Sequence, residues 1–101
     1  MNAGRQLDAL IAERVMGKKV DQSSGVDICF EDGPPIPRYS TNIADAWLVV
    51  EKFEIVEVEK LYHAYIAAVH VENRVYSVQA NTAPLAICLA AFKAVGVEVD
   101  G

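Results

Sequence analysis

The segment from Asn81 to Gly96 constrains this chain more than any other. Leu85, Cys88, Leu89 and Phe92 recur on one helical stripe, and Ile87, Ala90, Ala91 and Val95 make the remaining sides apolar as well. A helix apolar on nearly every side is stable only when both of its faces are covered. Its ends are written just as clearly. Asn81-Thr82 offer capping side chains, Pro84 sits in the first turn, where its missing N–H costs nothing, and Gly96 ends it. A chain of 101 residues has room for one domain, spanning 1–101, so the rest of the same domain has to supply those covers.

The other elements follow from periodicity. Residues 3–16 read as an amphipathic helix, with Leu7, Leu10, Ile11 and Val15 on one stripe, Asp8, Glu13 and Arg14 off it, and Gly17 as its stop. Residues 18–40 are mostly turn chemistry, and Gly33-Pro34-Pro35-Ile36-Pro37 fits neither helix nor central strand. Only Val26 to Phe30 alternates like a short strand. Ser40-Thr41-Asn42 then offer consecutive N-caps to a helix reaching about Lys52, whose stripe of Ile43, Ala46, Trp47 and Val50 places the indole in the core. Strands follow at Glu54–Lys60, Tyr62–Val71 and Val75–Gln79, the last two joined by a tight turn at Glu72-Asn73-Arg74. The expected fold is α+β: a small antiparallel β-sheet with helices packed on its faces, an α-β-α sandwich in the order helix, loop with short strand, helix, three strands, helix.

Charge narrows the function classes. With 9 basic and 14 acidic side chains the net charge is −5, a poor match to duplex nucleic acid or an anionic membrane surface. No apolar h-region follows Met1, and the longest uncharged stretch is interrupted by Ser77, Gln79, Asn81, Thr82 and Pro84, so no leader or membrane span is expected. Cys29 and Cys88 each lie among apolar neighbours and read as reduced, buried thiols of a cytoplasmic protein. No cofactor is implied. Hydrophobic residues make up 52% of the chain, and the last helix and sheet look too apolar for one small sandwich. Open sheet edges add to that, and a homodimer is expected.

Three segments carry a family resemblance: Leu7-Asp8-Ala9-Leu10-Ile11-Ala12-Glu13-Arg14-Val15-Met16-Gly17, Pro37-Arg38-Tyr39-Ser40-Thr41-Asn42-Ile43-Ala44-Asp45-Ala46-Trp47, and Thr82-Ala83-Pro84-Leu85-Ala86-Ile87-Cys88-Leu89-Ala90-Ala91-Phe92-Lys93-Ala94. Together, in that order and spacing, they resemble the phage ABA sandwich domain family. The resemblance implies a helix–sheet–helix sandwich and says nothing about activity. The chain departs from the family pattern at Lys18-Lys19, where an aromatic is expected, and in a β region poor in glycine and tryptophan.

No phosphate-binding loop, nucleophile elbow or His-Glu-x-x-His is present. His63 and His70, seven apart on one expected strand, would point to opposite faces, and Glu57 and Glu59 would share a solvated face. The candidate binding residues cluster at helix starts. Arg38, Tyr39, Ser40, Thr41 and Asn42 bring a cation, an aromatic plane and hydroxyls to exposed N–H groups that favour an anion, and Asn81 and Thr82 form a second such start. Trp47 could stack on a base, and His63 and Tyr65 would share one strand face. Simple capping explains the same hydroxyls without any ligand.

Three functions are compatible with this pattern. The first is a non-enzymatic phage protein that sequesters a nucleotide-type host immune signal, an ADP-ribose derivative or cyclic nucleotide, in the infected cell. The second is a protein–protein interaction module using the Gly33–Pro37 loop and leftover apolar surface. The third is a small phosphoesterase built on Glu57, Glu59 and a histidine.

Overall fold

The computed structural model describes residues 2–21, 29–30 and 35–97. Its elements are α1 (Arg5–Arg14), β1 (Val20–Asp21), β2 (Cys29–Phe30), α2 (Ile43–Val50), β3 (Ile55–Lys60), β4 (Tyr65–Val71), β5 (Arg74–Ala80) and α3 (Ala83–Ala94). The α+β class and the element order are those the sequence predicts. Of the strand expected at Val26–Phe30, the part before Cys29 lies outside the described residues, as do Gly33 and Pro34 of the proline-rich loop. Cys29 and Phe30 pair antiparallel with Asp21 and Val20.

α3 organises the molecule, as its composition demands. Thr82 is its N-cap, with its hydroxyl accepting from the Leu85 N–H at 3.3 Å, and Pro84 occupies the first turn. At the far end Gly96 adopts φ 89, which lets the Val97 N–H reach the Phe92 carbonyl at 2.9 Å and the Gly96 N–H reach Lys93 at 3.1 Å. That pair of bonds is a Schellman closure, and glycine takes its left-handed position without steric cost. Every residue from Ala86 to Phe92 is buried. β4 and β5 lie against one side of α3, while α1 and α2 pack on the rest of its surface. Burying a side chain such as Ile87 or Phe92 stabilises by roughly 1.5–3 kcal/mol, so this helix concentrates the hydrophobic drive of the fold.

The large sheet is antiparallel in the order β3-β4-β5. Register puts Val56, Val58, Ala67, Val69, Tyr76 and Val78 on the face toward α3. Ile55, Glu57, Glu59, Ile66, Ala68, His70, Val75, Ser77 and Gln79 share the other face. No described helix covers that second face, and Ile55 and Val75 are more than half exposed there (54% and 57%).

Several boundaries differ from expectation for local reasons. α1 is shorter than 3–16, and Asp8, expected off the buried stripe, is buried with Leu7 and Ile11. β4 starts at Tyr65, because the Leu61 N–H donates to the Ala64 carbonyl at 2.7 Å and closes a turn. His63 therefore sits in that turn and not on the strand that carries His70.

α2 shows the largest departure. Ala46 and Val49 are buried, whereas Ile43 and Trp47 are 53% and 52% exposed and Leu48 is 41% exposed. The side turned toward α3 is the one centred on Ala46 and Val49, so the predicted stripe is split: Ala46 and half-buried Val50 face the core, and Ile43 and Trp47 face solvent.

Candidate functional site

The approach to α2 is fastened to α1 by a buried polar cluster. Asp8 is buried, and its Oδ1 accepts from the Ser40 N–H at 2.8 Å and the Ser40 hydroxyl at 2.6 Å. Its Oδ2 meets the Arg5 guanidinium at 2.9 Å, and Arg5 also donates to the Ile36 carbonyl at 2.8 Å. The Gly4 N–H donates to the Ser40 hydroxyl oxygen at 2.9 Å. A carboxylate taken out of water needs such partners, and here Oδ1 has two and Oδ2 has one.

The five residues expected to meet a ligand at this helix start are thus divided. Tyr39 and Ser40 are buried, and Ser40 is occupied by Asp8. Thr41 and Asn42 are exposed, and their N–H groups donate to the Arg38 carbonyl at 3.2 and 2.9 Å. Asn42 is the N-cap, its side-chain oxygen accepting from the Asp45 N–H at 3.0 Å. Asp45 reaches back to accept from the Arg38 N–H at 2.8 Å. The protein's own carboxylates therefore stand where an external anion would sit, and they already offset the helix dipole.

Burial raises the Tyr39 phenol above its ordinary value, with the Asp45 and Asp8 charges adding to the shift. Burial also pushes the Cys88 thiol up, so this is an inert core sulfur and not a nucleophile.

A surface hollow of about 440 Å³ opens beside this cluster, lined by Arg5, Pro35, Ile36, Pro37, Arg38 and Asp45. Trp47, two residues beyond Asp45, points off a different side of α2. The other expected residues stay apart from it. Thr82 caps α3 and Asn81 is exposed beside it. His63 lies edge-on to Tyr62, with ring centroids 4.9 Å apart, and Tyr65 is half-buried on the α3 side of the sheet. On the open sheet face the His70 ring nitrogen lies 2.5 Å from a Glu57 carboxylate oxygen. Among the described residues no group of three or more His, Cys, Asp or Glu side chains could hold a metal.

The solvent side of α2 is a surface that the stripe of Ile43, Ala46, Trp47 and Val50 does not predict. Every α2 residue except Asp45 is apolar, yet Ile43, Ala44, Trp47 and Leu48 face water on one arc. The signal was present in the composition of the segment: a helix apolar all round needs two covers, and α3 supplies only one.

An apolar helix covered on one side by an antiparallel sheet and on the other by two helices places the chain in the α+β class. The chain belongs to the phage ABA sandwich domain family, whose pattern it matches over residues 9–92. It is similar to a 2.0 Å crystal structure of a phage protein from Bacillus cereus ATCC 14579, with 36% identity over 99% of this chain and 95% of that one, at a TM-score of 0.79. No curated protein matches the chain. Among the described residues no helix is long and apolar enough to cross a membrane.

Proposed function

We propose that the protein is a non-enzymatic binding module that docks an apolar groove of another protein onto the exposed side of α2. The observation that carries this reading is the half-exposed indole of Trp47 beside Ile43 and Leu48 on a helix with a single charged residue. Tryptophan is the residue type most enriched among energetic anchors of interfaces, and a cluster of large apolar side chains left in water is the usual mark of one. Trp47 is the chain's one tryptophan, so its fluorescence reports on this surface alone. Titration with the cognate partner shifts its emission to the blue and quenches access to iodide. A partner that binds with no change at the indole would contradict the reading.

Sequestration of a nucleotide-type host signal, an ADP-ribose derivative or cyclic nucleotide, is the second reading. The hollow beside Arg38 supports it, since a guanidinium suits a pyrophosphate, although the Arg5 guanidinium that also lines it is held by Asp8 and the Ile36 carbonyl. Against it, Asp45 lines the same hollow and Tyr39 and Ser40 are committed to the core. A thermal-shift comparison with ADP-ribose and cyclic nucleotides decides between them. A rise in melting temperature that disappears in Arg38→Ala would establish the nucleotide reading, because binding only to the native form stabilises it.

A further inference from the structure

The two edges of the large sheet are not alike. β3 presents Glu57, Glu59 and Lys60 within its six residues. Pairing β3 with itself about Val58 sets Glu57 opposite Glu59 of the second copy, and pairing about Glu57 sets that carboxylate opposite its own copy. Like charges directly opposite destabilise a strand pair, so β3 is a guarded edge. β5 spans seven residues, Arg74-Val75-Tyr76-Ser77-Val78-Gln79-Ala80, with no proline, no glycine and no charge after Arg74. No described strand pairs with its outer edge. A long, uncharged, unpaired edge is a ready template for another strand.

Register shows which backbone groups that edge offers. Val71 pairs with Arg74 across the two-residue Glu72-Asn73 connection. A connection of that length makes the flanking residues a hydrogen-bonded pair, and such pairs alternate along an antiparallel ladder. Arg74, Tyr76, Val78 and Ala80 therefore spend their N–H and C=O groups on β4, while Val75, Ser77 and Gln79 turn theirs outward. A two-fold axis through Ser77 places Ser77 opposite Ser77 and Val75 opposite Gln79 of the second copy. Every outward-facing N–H and C=O of these three residues then finds a partner. Shifting the axis to Tyr76 or Val78 leaves some of these groups unpaired. On the α3 side the same register sets half-buried Tyr76 against Val78 of the second copy, and it brings no like charges face to face.

We propose that two copies of this chain join through their β5 edges, antiparallel about Ser77, into one six-stranded sheet. The junction is separate from the α2 surface and leaves Trp47 free for its partner.

Light scattering on a sizing column tests this directly. Wild type is expected at twice the 11.0 kDa chain mass. Ser77→Pro removes an outward N–H that the monomer does not use, and Val75→Lys with Gln79→Lys sets two lysines face to face across the axis. Both are expected at the single-chain mass with far-UV spectra unchanged, since all three side chains are exposed. Val75→Lys combined with Gln79→Glu sets opposite charges in register and is expected to restore the dimer. A wild type at the single-chain mass would overturn the proposal. So would a dimer that survives the Ser77 and double-lysine variants but falls apart in Trp47→Glu, which would move self-association to α2.

Discussion

Asp8 and Ser40, 32 residues apart in sequence, share two hydrogen bonds of 2.6 and 2.8 Å through a single carboxylate oxygen. This contact ties the first turn of α1 to the turn that opens α2, and it makes the helix start a structural joint. Asp8→Ala removes the carboxylate and leaves the Ser40 N–H buried without its acceptor, which is expected to cost about 3–5 kcal/mol. Ser40→Ala should cost roughly 1–3 kcal/mol. Denaturant melts of both singles and the double should show a coupling of about 0.5–3 kcal/mol, and additive losses would mean the two side chains act independently.

Alkaline titration offers a second check. In the folded chain Tyr39 and Cys88 both hold their protons above their ordinary values of 10.0 and 9.0, for burial above all. The unfolded chain releases those protons at the ordinary values, so from there upward it binds fewer than the folded chain does. Stability is accordingly complete below about pH 9 and falls as pH climbs through 9 and 10. Urea midpoints measured from pH 7 to 11 should show the decline, and Tyr39→Phe should flatten its upper part.

The β4–β5 hairpin contains a stored strain. Glu72 has φ 55, a left-handed value that costs a residue with a Cβ about 1 kcal/mol. Glu72→Gly is expected to stabilise by a few tenths to about 1 kcal/mol, because the relief exceeds the added chain entropy of glycine. A lowered melting temperature would contradict this reading of the turn.

Helix α3 was legible from sequence because all of its signals are local. Thr82, Pro84, the apolar sides and Gly96 act within one segment, and no distant contact is needed to interpret them. The antiparallel order of β3, β4 and β5 was legible for the same reason. Asp8 was not, since the residue that justifies its burial lies beyond a long loop. Nor was the position of His63: the turn at 61–64 has no glycine, proline or asparagine, so its composition reads as strand. On α2 periodicity identified apolar residues correctly but could not say which arc α3 would cover. The candidate ligand residues are divided between two directions. Ser40 and Tyr39 went inward with the joint to α1, while Trp47 went outward.

Trp47 stands half-exposed at the middle of that outward arc. Trp47→Glu should leave the unfolding free energy from urea melts within about 0.5 kcal/mol of wild type, because a half-exposed side chain contributes little to the core. Trp47→Leu should behave likewise.

The most direct test places a photo-crosslinking phenylalanine at position 47, and a control at exposed position 93, in chains produced in the infected host. A discrete protein adduct is expected from position 47, absent from position 93 and competed away by unlabelled wild type but not by Trp47→Glu. Equal labelling from both positions, or no protein adduct at 47, would contradict docking at α2.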